Sequence, residues 1–461
     1  MDKDTDIGKL SFTASESEKL FNQAVTLHQQ GKMVEAVRAY AQILSKEPRH
    51  PDIYNNLGVA LRTLGKLEAA VSCYRRALAY GPEAANVYSN LGNALRELAR
   101  FEEAEAAHNQ SVELDATSPS GIYNRALVDR DLCRDDIALQ KYDQALEIDP
   151  DYVDCHWDRS LILLRNGKLE EGFPEYEWRW RLSHNPPRGF KQPLWDGSDL
   201  TGKTILLHQE QGFGDMIQFA RYVPLVKEKG GTVLIECQPE LLRLFATLEG
   251  VDQVVSSESP LPDFDVTAPI ITLAKIFETT LETIPNNIPY VRAPEQHNFV
   301  LSPHSGTVSV GICWAGKPTH KNDRNRSCSF ADFMDLTAIP DTTFFSLQKG
   351  DAISEYNERA GGILIADVGS KMNDFADTAV VLEQLDILIT VDTSIAHLAG
   401  AMGRPVWVLV PFAPDWRWLL NRNDSPWYPS MRLFRQTDPG DWAPVFRQVG
   451  EALRELTKEK F

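Results

Sequence analysis

The chain has 461 residues and carries 47 Lys and Arg against 65 Asp and Glu, a net charge of −18 that repels a phosphate backbone and argues against a nucleic-acid partner. Its six cysteines (Cys73, Cys133, Cys155, Cys237, Cys313, Cys328) form no C-x-x-C pair, which indicates neither a zinc site nor a disulfide framework and fits a reducing cytoplasm. The polar N-terminus lacks the apolar core of a signal peptide, no run approaches the roughly 18 apolar residues of a membrane span, and the length calls for two to four domains of about 100–200 residues each.

Residues 1–16 read as a disordered N-terminus, and a repeat follows over 17–182. Ala36, Ala70, Ala104 and Ala138 recur every 34 residues, as do Tyr40, Tyr74, His108 and Tyr142. Gly58, Gly92 and Ala126 keep the same step, and Pro48, Pro82 and Pro150 end units. This is the template of the tetratricopeptide repeat, in which small residues let paired helices approach and aromatics fill the gap to the next pair. Gly31, Gly65 and Gly167 fall at the turn within a pair, where a positive φ costs glycine little. A fifth unit starts near Val153 with His156 and Leu163 in register, carries Gly172 and Tyr176 in the small and aromatic slots, and reads as a cap on about four full repeats. Most of these residues are core in any stacked array. Function enters through the concave groove, which takes an extended peptide or partner protein.

The Pro-, Gly- and polar-rich segment 183–203 predicts a linker. From Thr204 the pattern turns to short apolar runs alternating with amphipathic stretches: TILLHQ, a helix from about Asp215, TVLIEC, a helix around PELLRLFATL, then DQVVS. A second set follows, with VSVGICWAG, FADFMDL, TFFSLQ, ILIADV, FADTAVVLEQL, DILITVD, IAHLAGAMG and PVWVLVP. The predicted fold is therefore an α-solenoid followed by an α/β GT-B arrangement of two Rossmann-like, doubly wound sheets, over 204–290 and 307–461, with a ligand cleft where strand C-terminal ends face each other. Neither G-x-G-x-x-G nor G-x-S-x-G follows a strand, which argues against a dinucleotide oxidoreductase or an α/β hydrolase.

Within this frame Gly214 and Asp215 open a helix directly after the first strand; Asp215 fits either a general base or the cap of its own helix. Asp392, Thr393, Ser394 and His397 stand where a buried strand meets a helix N-terminus, a place suited to a diphosphate, with an ordinary N-cap and a packed imidazole as the plainer alternative. The loop AGKPTHKNDRNRSCS clusters Lys317, His320, Lys321, Arg324 and Arg326 in an acidic chain and either suits the departing diphosphate of a nucleotide sugar or is a plain solvated loop. Gln348 and Lys349 end another strand and either reach the nucleotide or form a plain turn. The pair Asp263 and Asp265 matches D-x-D but precedes a strand, so no metal is expected from it. The aromatics of DWRW and SPWY either stack on sugar or base or simply pack.

Together EYEWRW, QGFGDMIQFARY, CWAGKPTHKNDRNRS, FFSLQKG, VDTSIAHLAGAMGRPVWVLVP, DWRWL and SPWYPSMRLFRQ resemble the bacterial tetratricopeptide-repeat glycosyltransferases over nearly the whole chain. Their catalytic half looks like the heptosyltransferases and, more distantly, the O-GlcNAc transferases. The resemblance implies a metal-independent, inverting transfer without a cofactor, with Asp215 as base on the acceptor hydroxyl, Asp392, Thr393 and Ser394 on the donor's sugar and phosphates, and His397 supporting that turn. It implies a nucleotide sugar and a protein acceptor as partners; in some relatives the repeats present flagellin, including for modification by nonulosonic acids. Asp392-Thr393-Ser394 stands where heptosyltransferases usually have Asp-Thr-Gly, so the resemblance names no donor sugar. A lipid-linked or oligosaccharide acceptor, or a repeat scaffold with a degenerate transferase half, are the alternatives.

Overall fold

The computed structural model describes residues 14–183, 185–297, 299–320, 322–359 and 361–460, and divides into two compact units, one ending at Arg159 and the other beginning at Ser160. The division falls inside the helix Val153–Arg165. Segment 160–182, read from sequence as the end of the repeat array, therefore groups with the second unit.

In the first unit, α1 (Ala14–Gln29) pairs with α2 (Met33–Leu44), α3 (Pro51–Thr63) with α4 (Leu67–Tyr80), α5 (Ala85–Glu97) with α6 (Phe101–Leu114), and α7 (Pro119–Asp131) with α8 (Asp135–Ile148). Ala36, Ala70, Ala104 and Ala138 are fully buried, so the small residues lie where the helices meet. A Cβ on Gly58 would stand 2.5 Å from the Tyr74 ring, and one on Gly92 would stand 2.6 Å from the His108 ring, which explains the coupled glycine and aromatic periodicities. Gly31 and Gly65 take φ +76° and +71°. One and two registers later the same turn is made by Ala99 (φ +57°) and Cys133 (φ +54°), where an L side chain costs about 1–2 kcal/mol. The stacking of the hairpins thus dictates the turn even where glycine is missing. Ion pairs step along the array, from Arg62 to Glu97 at 2.6 Å, Arg96 to Asp131 at 2.5 Å and Arg130 to Asp158 at 2.7 Å.

The second unit carries two wholly parallel sheets. The first orders as β3 (Gln253–Ser256), β2 (Thr232–Cys237), β1 (Thr204–His208), β4 (Val266–Pro269). The second orders as β10 (Met431–Arg435), β9 (Val406–Val410), β8 (Ile387–Val391), β5 (Val308–Cys313), β6 (Thr342–Ser346), β7 (Ile365–Asp367). Every residue of β5, β8 and β9 is buried, as parallel strands covered on both faces must be. Taken from the β7 edge, the order is the doubly wound 3-2-1-4-5-6, with its switch point between β5 and β8. In the first sheet the chain reverses between β1 and β4.

Sequence pattern named neither β4 nor β10, because both are short edge strands, one ending in Pro269 and the other alternating charged and apolar residues. The expected linker 183–203 is packed: Trp195 N–H donates to Thr267 O at 2.8 Å, and Trp195 and Leu200 are buried. Asp265 of the D-x-D match accepts the Thr204 N–H at 2.8 Å, at the N-terminal end of β1. Among the described residues, no helix is long and apolar enough to cross a membrane.

His108 occupies the tyrosine slot of its repeat with neither ring nitrogen hydrogen-bonded. Burial, reinforced by Arg96 and Arg125, pushes its pKa down to about 3 from 6.5. The neutral ring is favoured in the fold, so its contribution is complete above pH 6.5 and is lost as pH falls toward 3, at up to about 1.4 kcal/mol per pH unit. His108→Tyr should leave the melting temperature of the full chain near pH 7.5 little changed and flatten its decline down to pH 4.5, followed by circular dichroism; an unchanged decline would contradict this.

Candidate functional site

Glycine spacing and a buried guanidinium bring the ends of the two sheets together. After β1 the chain turns through Gly212 into α11 (Phe213–Phe219), and after β8 it turns through Thr393 into the helix Ser394–Ala401. A Cβ on Gly214 would stand 2.9 Å from His397 Cδ2 and 3.7 Å from Ser394 Cα. Gly214 is thus the point where the two helix starts abut, and the structure gives it a packing role.

Asp215 lies at the third position of α11. One carboxylate oxygen accepts the Gly212 N–H at 2.8 Å, as a cap does, and the other accepts Arg417 Nη2. The side chain thus caps its own helix, the plainer of the two alternatives, and its second oxygen meets a cationic partner from the other sheet. Burial raises its pKa, opposed by Arg417 and the Gly212 N–H. Arg417 sits on the short turn Trp416–Trp418 between β9 and β10, donates Nε to Gln218 Oε1 at 2.6 Å and Nη1 to Asp415 Oδ1 at 2.9 Å, and lies over the Trp416 ring. Sequence reading took DWRW as aromatic and did not single out Asp415 or Arg417; the acid-x-Arg spacing inside a post-strand loop was the available signal.

Asp392 directly follows β8 at the switch point. Burial, together with the nearby Asp415 carboxylate, pushes its pKa up to about 6, against Arg326, the indole of Trp418 and Arg417. Thr393 occupies the cap position, yet its hydroxyl bonds Thr390 Oγ1 at 3.1 Å and makes no cap to the helix. The side-chain cap of the plainer alternative is therefore not made by Thr393. His397 is the packed imidazole of the plainer reading: it bonds the Tyr428 hydroxyl at 3.1 Å, stacks on Trp418, and is held neutral by burial and surrounding arginines.

The loop leaving β5 brings Arg326 inward, passing so close to Gly316 that a Cβ there would collide with its guanidinium. Arg326 also contacts Asp323 at 3.3 Å. His320, from the same loop, lies in the field of Asp415 and Asp215. Arg324 is exposed on the short helix Asp323–Arg326, and Lys321 falls outside the described residues. Gln348 is spent on the backbone: Oε1 accepts from Trp314 N and Ala315 N, both at 3.0 Å, while Nε2 donates to Ala315 O at 3.1 Å and Lys349 O at 2.8 Å. It braces the start of the cationic loop. Lys349 is exposed and donates to Met372 O at 2.6 Å.

The segment Glu177–Arg181 docks at the same ends of the first sheet. Arg179, with no exposed surface, pairs with Glu210 at 2.7 Å and Glu177 at 2.6 Å and donates to Thr272 Oγ1 at 2.7 Å. A small cavity of about 170 Å³ opens beside it, lined by Trp180, Asn185, Pro186, Arg188, Gln209 and Glu210. A larger one near Arg243, Glu295 and Asp377 lies apart from the carboxylates.

Gln348→Met keeps the volume and removes the amide, leaving the Trp314 and Ala315 N–H groups without acceptors, at roughly 1–3 kcal/mol each. Denaturant unfolding should show about 2–4 kcal/mol lost, against a change within about 0.5 kcal/mol for exposed Lys349→Met. Full stability with loss of nucleotide binding would return Gln348 to the ligand.

Family models described as tetratricopeptide repeat match residues 53–117 and 21–72. Protein FlbA of Caulobacter vibrioides is 26% identical over 334 residues, covering 66% of this chain and 56% of that protein, so the chain spans little more than half the relative's length. Among solved structures, MamA is similar over 34% of this chain and 91% of its own (19% identity, TM-score 0.31). TTC0263, a thermophilic TPR protein of Thermus thermophilus, is similar over 37% and 93% (19% identity, TM-score 0.34). With the paired helices described above, the family matches make the chain a tetratricopeptide-repeat solenoid followed by a domain built on two parallel sheets.

Proposed function

We propose that the second unit is a GT-B glycosyltransferase acting on a polypeptide that the repeats recruit. The observation that carries this reading is the meeting of two parallel-sheet ends at Asp215, Arg417 and Asp392, with a helix N-terminus that has no side-chain cap beside them. In the proposed reaction Asp215 takes the proton of an acceptor hydroxyl as its oxygen bonds the anomeric carbon. The bond from that carbon to the nucleotide diphosphate breaks with its electron pair on the leaving oxygen. Arg326 and the N–H groups opening Ser394–Ala401 meet the new charge. A single displacement of this kind inverts the anomeric centre.

Asp215 remains able to act while held by Gly212 and Arg417, because a carboxylate offers about four acceptor positions. Asp392, protonated in part near neutrality, suits a sugar hydroxyl or a phosphate oxygen better than a fully charged carboxylate does.

A thermal-shift screen against UDP-, GDP-, ADP- and CMP-sugars tests the donor. A ligand at 100 times its Kd adds about 2.7 kcal/mol of apparent stability, so one nucleotide class should raise the melting temperature clearly. With that donor, Asp215→Asn should keep the shift and lose about 10²–10⁴-fold in transfer to a protein acceptor. A folded protein that responds to none of the four supports a repeat scaffold in place of the enzyme.

A further inference from the structure

The charge that faces Asp215 comes from the opposite sheet. Asp215 belongs to α11, directly after β1, whereas Arg417 belongs to the turn between β9 and β10. That turn is itself rigid: Asp415 Oδ1 accepts both the Arg417 backbone N–H at 3.0 Å and its Nη1 at 2.9 Å, so the guanidinium is aimed before it meets Asp215. Its Nε is fixed to Gln218, one turn further along α11 from Asp215. The arginine therefore grips α11 at two points, and the side chains of Arg417 and Asp215 are 9% and 15% exposed. At such burial an unpaired carboxylate takes a proton instead of remaining charged.

We propose that Arg417, reaching α11 from the other sheet-bearing half, is a positioning residue that keeps Asp215 an aimed carboxylate. This rests on the reading of Asp215 as the base. The other titratable or charged groups facing Asp215 are Asp415 from the same turn as Arg417, His320 from the loop after β5, and Tyr176 from the segment before β1. Asp415 opposes ionisation, neutral Tyr176 leaves it unaffected, and His320 supports ionisation only when protonated. Arg417 is thus the permanent cation of the set, since a guanidinium does not deprotonate in this range.

The test is a pH-resolved double-mutant cycle on the full chain with Arg417→Gln, Asp215→Asn and the pair, read by thermal unfolding between pH 5 and 8.5. Arg417→Gln should lower the melting temperature most at pH 8 and least at pH 5, where Asp215 takes a proton, and adding Asp215→Asn should restore most of the loss at pH 8. In turnover, the acidic limb of kcat/KM should move up by at least one pH unit in Arg417→Gln and return toward wild type in Arg417→Lys. If Arg417→Gln does not fold, recovery of folding on adding Asp215→Asn supports the pairing and failure to recover opposes it. A pH-independent loss that Asp215→Asn does not relieve overturns the proposal. The unfolding cycle decides it even where the wild type transfers no sugar, an outcome that would sink the transferase reading alone.

Discussion

A guanidinium cannot shed its charge inside a protein, so each one buried there must find hydrogen-bond acceptors, carboxylate or neutral, in fixed positions. Three of the buried arginines of the second unit show how this is done. Arg179 holds the segment before the first sheet against Glu210 and Thr272. Arg221 donates to Trp427 O at 2.8 Å and to the Tyr290 hydroxyl at 3.3 Å, and lies over the Tyr428 ring. Arg417 joins the turn after β9 to α11. Two of these three, Arg221 and Arg417, leave one sheet-bearing half and end on the other, so the halves are registered by directional polar contacts as well as by apolar packing. Breaking any of them exposes a charge to a site built around it, which costs more than such a contact contributes in water.

Apolar packing sets the distance that these arginines span. Two helix starts meet at Gly214 and His397, and the imidazole is pinned between Trp418 and the Tyr428 hydroxyl. The aromatic residues around them, among them Phe219, Trp416 and Trp427, share ring contacts across the same seam. The polar groups are therefore held by walls that leave little freedom. That is what a preorganised site needs if its charges are to be useful without reorganisation.

Much of this was legible from the sequence where one physical rule repeats. The 34-residue step exposed the repeats because small-on-aromatic packing recurs in each unit, and Asp215 and Asp392 were found because both follow buried strands and open helices. What stayed hidden depends on partners distant in the chain. Arg417 is 202 residues from Asp215 and sits in a loop without periodicity, so nothing local announces their contact. Gln348 follows a strand, as its sequence position suggests, but three of its four backbone bonds appear only when β6 lies beside β5. Ala99 and Cys133 hid a turn that the register required, because side-chain identity said helix where stacking demanded a left-handed residue.

The two carboxylates of the site end up with different characters for an intelligible reason. Both are buried, and burial raises both. Asp215 receives a guanidinium and a backbone N–H directly, whereas Asp392 faces the Asp415 carboxylate and has its cations at longer range. Arg417 is satisfied by Asp215 and Asp415 at once, which leaves Asp392 to carry the uncompensated part of the acidic cluster. A single arginine thereby separates the two carboxylates: Asp215 keeps a guanidinium against it, and Asp392, left without a direct cation, is pushed up to about 6 by burial and Asp415.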